Sequence, residues 1–314
     1  MLDSDDIQGN IVPGFLKPFQ RLIGLSIVEV PSAQAWLRQL APRLTTLRQA
    51  MQTREEVRRH RGMRRALTEE LNPVPGSVDD AWINIAFSYR GLRKLFAADE
   101  DREAQLKQFQ DEAFPLGLAA RSAALGDPTD PHLPGHPQNW RVGGVSGEPD
   151  ILLIFAADRY ERLDELSSSI GSDGLQHVYE ENARKLDPRG AEHFGFKDGV
   201  SQPGVRGRYS DEADAFVTQR VVAPDGNRQS LLYGLPGQRL IWPGEFIFGY
   251  PRQCADPLIP GPANLPGPDW SRNGSYLVFR RLQQDVQGFR DFLRDQAETL
   301  RAQQRMSEMT TERL

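Results

Sequence analysis

One acidic side chain stands out because two glycines flank it. Asp198 lies in the run Gly195-Phe196-Lys197-Asp198-Gly199. A carboxylate within hydrogen-bond reach of a substrate can take up a proton and return it, which is general acid–base chemistry. Glycine also allows the positive φ angles that a sharp loop needs. An Asp-Gly pair by itself usually marks an ordinary turn, so the surrounding sequence has to decide between a turn and a site.

The side chains most often found as metal ligands are few in this sequence. There are five histidines: His60, His132, His136, His177 and His193. His132 and His136 flank a Pro-Gly pair, which indicates a surface loop rather than a metal site. We interpret His60 and His177 as structural and His193 as a hydrogen-bonded loop residue.

The bulk composition favours a soluble globular protein. The 314 residues are 39% apolar, which is enough for one large domain or two ordinary ones. The net charge of −5 gives no basic patch of the kind that nucleic-acid binding needs. No apolar run approaches the roughly 20 residues of a membrane helix, and the N-terminus lacks the pattern of a secretory signal. Cys254 is the single cysteine, so no internal disulfide forms and a cytoplasmic location is expected.

Hydrophobic periodicity predicts the elements that position these residues. Strands are expected at residues 21–30, 81–87, 150–155 and 176–181, and helices follow the first three. Ser32 is expected to cap the first helix. Because strands and helices are interspersed rather than strictly alternating, we predict an α+β fold with helices on one face of an antiparallel, ferredoxin-like sheet.

The sequence also indicates an internal duplication. Residues 22–40 and 276–293 share an apolar strand, a short polar break and a helix with an aromatic residue in its first turns. We predict a first ferredoxin-like domain at 1–187, an irregular segment at 188–268 that carries the Asp198 loop, and the start of a second ferredoxin-like domain at 269–314. The second repeat is incomplete within these residues.

Five separated motifs resemble those of the dye-decolourising peroxidases, and they occur in the order that the family has. They are residues 6–11 (DIQGNI), 82–88 (WINIAFS, with Gly91 and Leu92), 192–203 (EHFGFKDGVSQP), 242–251 (WPGEFIFGYP) and 273–279 (NGSYLVF). The similarity extends over nearly the whole chain and looks closest to the larger cytoplasmic bacterial branch. It implies a duplicated ferredoxin-like fold whose second half holds most of the haem.

The resemblance implies a role for Asp198 as the carboxylate beside the peroxide site. Hydrogen peroxide must lose a proton from one oxygen and gain it on the other before its O–O bond breaks heterolytically, and a nearby carboxylate can transfer that proton. The implied cofactor is haem b, and the implied reactants are hydrogen peroxide and an organic electron donor such as a dye or a phenol.

The same resemblance assigns the residues around Asp198 to the haem. Gly195 and Gly199 leave room for a flat macrocycle, and Phe196 packs near the haem edge. Val200, Ser201 and Gln202 are expected to line the distal wall of the pocket or to reach a propionate, and Lys197 is expected to face a propionate or solvent.

The sequence departs from the family at the iron. In this family a histidine and an arginine from the second half bind the iron and polarise the peroxide, yet no histidine follows position 193. His193 is a poor substitute, because a peroxidase places its axial ligand and its acid on opposite faces of the haem. Cys254 is a possible thiolate ligand in principle, but its proline-rich loop favours an exposed thiol.

Three hypotheses remain open. The chain is a shortened haem peroxidase that lacks the segment with the axial histidine and the distal arginine. Alternatively, it is a non-catalytic or assembly protein without haem, in which residues 276–279 add as a strand to a neighbouring chain, so that a homo-oligomer forms. A haem-independent enzyme using Asp198 and Lys197 is a weaker hypothesis, because no nucleophile, metal cluster or phosphate loop accompanies them.

Overall fold

A four-stranded antiparallel sheet forms the centre of the larger structural unit. Its strands are β1 (Phe19–Ile27), β2 (Ala81–Phe87), β3 (Ile151–Ala157) and β4 (Leu175–Arg184). They lie in the order β2-β3-β1-β4, and every neighbouring pair is antiparallel. This is the strand order of the ferredoxin-like fold, so the predicted α+β class is confirmed.

The computed structural model describes residues 1–14, 17–67, 79–145, 147–186, 191–197, 202–220 and 231–302, with the side chains of 60–67 excluded. The helices are α1 (Val30–Leu40), α2 (Leu47–Leu67), α3 (Tyr89–Phe96), α4 (Glu100–Leu106), α5 (Ala113–Ala120), α6 (Tyr160–Ser168) and α7 (Val286–Ala302). Within these ranges, no helix is both long and apolar enough to cross a bilayer.

The main core lies between one face of the sheet and three of the helices. Alternate residues of β1, such as Ile23 and Leu25, point into it, and α1 contributes Trp36. All seven residues of β3 are buried, as expected for a central strand that is covered on both faces. Helix α6 closes the core with Leu163, which is fully buried.

Helix α1 begins two residues before the predicted cap. The side chain of Glu29, rather than that of Ser32, caps the helix, because its carboxylate accepts a hydrogen bond of 2.7 Å from the Ser32 amide. Pro31 therefore falls inside the first turn, where its missing N–H group removes no helical hydrogen bond. The sequence suggested a boundary at Pro31 because a strand and a helix meet there without a polar gap.

Strand β4 is longer than predicted, and it has little hydrophobic patterning. Nine of its ten residues are exposed or half-buried, but it pairs with β1 from Leu175 opposite Ile27 to Arg184 opposite Phe19. A register shift at Gly24 and Leu25 accommodates this pairing. Backbone pairing rather than burial therefore defines the strand, and periodicity alone underestimates its length.

The segment predicted to be irregular contains short paired strands in its described part. β5 (Gly204–Val205) runs parallel to β6 (Leu240–Ile241), and β7 (Tyr250–Pro251) runs antiparallel to β8 (Ala263–Asn264). By contacts, the chain divides into one unit of residues 1–184 with 201–278 and a second unit of 185–200 with 279–314. The domain boundaries predicted above are not tested by this division and stay predictions.

Of the strand and helix predicted for the C-terminal repeat, the described residues contain only the helix. Helix α7 lies where a helix was predicted, but the described residues 275–285 belong to no strand. A strand needs the edge of another strand for its backbone hydrogen bonds, and in the described part of the chain no strand pairs with these residues. The duplication of the fold stays a prediction.

A fully buried carboxylate joins three elements of the first unit. Asp150 precedes β3, and its Oδ2 accepts hydrogen bonds from the Ile27 amide at 2.8 Å, the Ser26 hydroxyl at 3.0 Å and the Lys94 Nζ at 2.5 Å. Its Oδ1 accepts from the Arg90 Nε at 2.9 Å. Burial alone raises the pKa of Asp150, but these hydrogen bonds and the charge of Arg90 outweigh it, so that the pKa lies below its usual value.

We expect Asp150→Asn to lower the free energy of unfolding by about 2–3 kcal/mol at pH 7, because charge-assisted hydrogen bonds are lost. Since the pKa of Asp150 is lowered in the folded state, its stabilising effect exists above about pH 4 and is lost as the pH falls through the folded-state pKa. Urea unfolding of both proteins at pH 7 and pH 3 measures the difference.

The matched control is Asp173→Asn, which alters an exposed acid in the loop before β4. A stability gap between wild type and Asp150→Asn that is as large at pH 3 as at pH 7 would contradict the proposed charge interaction.

Candidate functional site

The loop that leads into Asp198 is ordered by hydrogen bonds of its own. Ala191 and Lys197 form an antiparallel bridge, and the Glu192 amide donates to the Phe196 carbonyl at 2.9 Å. The Gly195 amide donates to the Glu192 carbonyl at 3.0 Å. These bonds close a tight turn immediately before the acid.

The side chain of Glu192 stabilises this turn by hydrogen bonds to its backbone. One carboxylate oxygen accepts from the Phe194 amide and the other from the Phe196 amide, both at 2.8 Å. The Gln284 side-chain amide also donates to Glu192 at 2.7 Å and links the turn to the residues before α7. The hydrogen bond from Phe194 is the main reason why the pKa of Glu192 lies below its usual value, and the bonds from Gln284 and Phe196 act in the same direction. Glu192 therefore stays ionised at neutral pH.

Two phenylalanines of the turn contact α7. The rings of Phe194 and Phe196 lie 4.8 Å and 5.9 Å from the ring of Phe289, between centroids. Phe196 still exposes 63% of its surface. A single exposed aromatic ring is ordinary on a protein surface, so its role depends on what lies next to it.

Gly195 is explained by its backbone. Its φ angle is +96°, which side chains with a Cβ rarely adopt, and a Cβ built there would meet no atom within 4 Å. The sequence analysis predicted that Gly195 also leaves room for a flat macrocycle, and this stays a prediction. Lys197 is exposed, as one of its two expected orientations requires.

Four residues of the expected site lie outside the described residues: Asp198, Gly199, Val200 and Ser201. Gln202 is described and exposed, and its carbonyl accepts a hydrogen bond of 3.4 Å from the Gln238 side chain. It belongs to the larger unit, whereas the turn at 191–197 belongs to the smaller one.

Three histidines and the cysteine can be placed at the surface or in a loop among the described side chains. His132, His177 and His193 are exposed. Cys254 is half-buried, and its Sγ lies 3.2 Å from the Asp256 carbonyl and 3.1 Å from the Ile259 carbonyl. Among the side chains that the structure describes, no three of His, Cys, Asp or Glu cluster as a metal site would require.

The N-terminal motif has a structural role in the sheet that hydrophobic periodicity does not predict. Gln8 donates from its side chain to the Ile85 carbonyl at 3.0 Å and accepts from the Ile85 amide at 2.9 Å. The fully buried Asn84 donates to Gln8 and to the Thr45 carbonyl. The Gln8 side chain thus covers the edge of β2 at Ile85, and Thr45 covers it at Ile83 through its amide and its hydroxyl.

A second network joins the N-terminus to the last two motifs. The Tyr250 hydroxyl accepts from the Asp3 amide at 2.9 Å and donates to Asn273 Oδ1 at 3.0 Å. The Asn273 side chain donates to Asp6 at 2.7 Å and to Asp3 at 3.2 Å. The sequence signal for this network was the clustering of Asp, Gln and Asn near residue 1, which periodicity does not interpret.

Comparison with known proteins identifies the sheet as a known domain. A sequence profile described as the DyP dimeric alpha+beta barrel domain matches residues 6–185. The chain is 27% identical over 301 residues to dye-decolorizing peroxidase msp1 of Mycetinis scorodonius, with 94% of this chain and 46% of that protein covered. It is 27% identical over 300 residues to a dye-decolorizing peroxidase of Mycena epipterygia, of which it covers 44%.

Solved structures show the same likeness. An ancestral D-type dye-decolorizing peroxidase is matched with a TM-score of 0.67 and 27% identity, covering 99% of this chain and 55% of that one. A dye-decolorizing peroxidase in complex with 2,6-dimethoxyphenol shares the fold, with a TM-score of 0.60. The chain spans about half the length of the curated relatives it matches. Mycetinis scorodonius and Mycena epipterygia are fungi, so membership of the larger bacterial branch stays a prediction.

Removal of the Glu192 carboxylate should loosen the turn without unfolding the sheet. In Glu192→Ala the amides of Phe194 and Phe196 lose their acceptors, so we expect both to exchange their protons several-fold faster. Glu192→Gln keeps one acceptor oxygen and should have a smaller effect. Hydrogen exchange measured by NMR tests both variants.

Glu298→Ala, which removes an exposed carboxylate from α7, is the control and should leave both amides unchanged. Unaltered exchange in Glu192→Ala would show that other contacts hold the turn.

Proposed function

Because the chain belongs to the dye-decolourising peroxidase family, we propose that it provides the peroxide-handling side of a haem site, with Asp198 as the acid that moves the proton. The observation that carries the proposal is the turn at 191–197. It holds the backbone fixed up to the residue before Asp198, and it presents an exposed aromatic side chain there.

The residues of the turn fit one side of haem b. Phe196 offers an exposed apolar ring, Gly195 has open space where a side chain would lie, and the exposed Lys197 supplies a positive charge. A flat apolar group with carboxylates at one edge suits such a surface. Haem b meets this description, and the relatives from Mycetinis scorodonius and Mycena epipterygia are dye-decolorizing peroxidases.

The chain does not fit the iron-binding side. No histidine follows position 193, and His193 lies only five residues before the proposed acid. We propose that the axial histidine and the distal arginine come from protein beyond these 314 residues. The turn and Asp198 then form one half of a composite site.

When bound, haem supplies the iron at which peroxide is reduced. The residues of this chain transfer the proton. The Asp198 carboxylate accepts it from one peroxide oxygen and returns it to the other oxygen, which leaves as water. Glu192 keeps the preceding backbone in place, and Phe196 shields the site from bulk water. A phenol or a dye is the proposed electron donor; 2,6-dimethoxyphenol is the compound bound in one related structure.

We expect Asp198→Asn to lower peroxide-dependent oxidation of 2,6-dimethoxyphenol by about a hundredfold or more, because asparagine cannot transfer the proton. The assay uses the chain with haemin and 2-methylimidazole, a ligand whose methyl group hinders binding on the second face of the iron. Circular dichroism in the Soret band, which haem acquires only in a chiral site, shows that both proteins bind haem equally.

Asp173→Asn is the control and should retain the wild-type rate, since this exposed acid lies outside the turn. The proposal fails if haemin acquires no Soret dichroism with the wild-type chain. It also fails if Asp198→Asn oxidises the phenol as fast as wild type.

A second function is favoured by one surface feature. Leu277 and Val278 expose 49% and 72% of their surface, and residues 275–285 belong to no strand. A segment that belongs to no strand can add its backbone to the sheet edge of another molecule, and its apolar side chains then pack against that sheet. The chain would then be a haem-free assembly protein.

Sedimentation velocity distinguishes this alternative. An assembly protein should sediment as an oligomer that Val278→Lys dissociates, because a buried lysine disfavours the interface. The exposed Val145→Lys is the matched control. A monomer at all concentrations would exclude the assembly function and leave the haem proposal untouched.

A further inference from the structure

Two of the five motifs have no role in the function proposed for Asp198. They line one cavity together. The motifs at 242–251 and 273–279 line a space of about 450 Å³ together with two other segments of the larger unit. Sites for small organic ligands typically measure about 300 to 1,000 Å³. The lining residues are Gln110, Asp111, Gly244, Glu245, Phe246, Phe248, Asn264, Pro266, Ser275 and Tyr276.

The walls of this cavity are fixed by hydrogen bonds between the segments. The Phe248 amide donates to the Gly274 carbonyl at 2.9 Å, and the Asn264 side chain donates to the Gly244 carbonyl at 2.8 Å. The Gln110 amide donates to the Pro266 carbonyl at 2.8 Å. A wall held at three points keeps its shape when a ligand enters, which lowers the entropic cost of binding.

Aromatic rings form the apolar side of the cavity. Tyr276 packs edge-on against Phe248, with 4.8 Å between ring centroids, and tilts against Phe114 at 5.4 Å. Phe246 adds a ring that is 37% exposed. The Tyr276 hydroxyl is buried beside the backbone of Asp111.

The charged residues that line the cavity are both acidic. Asp111 and Glu245 are both exposed, and no lysine, arginine or histidine is among the lining residues. Burial raises the pKa of Tyr276, and the negative charge of Asp111 adds to this, so the ring stays neutral. Aromatic faces attract cations through their quadrupole, and two carboxylates strengthen that attraction.

We propose that this cavity is a binding site for small planar aromatic cations, with the rings of Phe246 and Tyr276 as its apolar wall and Asp111 and Glu245 as its anionic groups. An aromatic amidine or an arylammonium ion combines the flat apolar body with the positive charge. The inference does not rest on the haem proposal, because neither iron nor Asp198 takes part.

The test compares two probes that differ only in the sign of their charge. p-Aminobenzamidine carries an amidinium group where p-aminobenzoate carries a carboxylate, on the same aminophenyl ring. Isothermal titration of the haem-free chain should show saturable 1:1 binding of the amidine and none of the benzoate. The double variant Asp111→Asn with Glu245→Gln should weaken amidine binding by about tenfold or more, as expected for lost charge-assisted contacts.

Both substitutions keep an oxygen for the existing backbone hydrogen bonds, which run from Ala113 to Asp111 and from Gln253 to Glu245. Glu112→Gln removes a neighbouring acid that does not line the cavity, and it should bind the amidine as wild type does. Equal binding of both probes overturns the proposal, as does unchanged amidine affinity in the double variant. If the double variant is unfolded by far-ultraviolet dichroism, the comparison of the two probes on wild type still decides.

Discussion

The edge of β2 imposes the constraint on which the larger unit depends. A sheet edge exposes unpaired backbone groups that invite pairing with other chains. Here the side chain of Gln8 bonds to both backbone groups of Ile85, as a neighbouring strand would. Covering the edge in this way requires the N-terminal residues to lie against the sheet.

The same N-terminal residues connect the sheet to the loops of residues 201–278. Leu2, Ile7 and Val12 pack in one apolar cluster with Val205 and Ile247. The hydrogen bonds of Tyr250 and Asn273 add a polar connection at the same place. Gly274, whose carbonyl accepts the Phe248 amide in the cavity wall, directly follows Asn273 of this network. The N-terminal residues therefore contact both the edge of the sheet and the segments that carry the cavity wall.

Sequence periodicity predicted those elements that bury a regular apolar face. β2 was placed at its observed bounds and a helix was expected directly after it, where α3 lies, because both have clear apolar patterns. β4 and the strand predicted at the start of residues 276–293 show the limit in opposite directions. β4 has little pattern but finds a long partner in β1, whereas the later segment has an apolar pattern but pairs with no strand in the described structure. Strand formation depends on a partner, and a local pattern does not contain that information.

The positive φ angle in the turn at 191–197 was predictable from the sequence, but the hydrogen bonds that hold the turn were not. The motif around Asp198 pointed to a loop with a glycine of positive φ, and Gly195 has one. Glu192 went unnoticed as an anchor because its bonds to the Phe194 and Phe196 amides have no periodic signature. Likewise, Asp111 and Glu245 lie far apart in sequence, and only the folded chain brings them to one cavity.

The N-terminal connection also has a consequence for the order in which the chain folds during synthesis. All four strands of the sheet are available once Arg184 has left the ribosome. The bond between Asp6 and Asn273 spans 267 residues, so it forms only after Asn273 has been synthesised. Contacts over such distances form slowly. The nascent protein therefore contains all four strands of the sheet before the polar partners of its N-terminal residues exist.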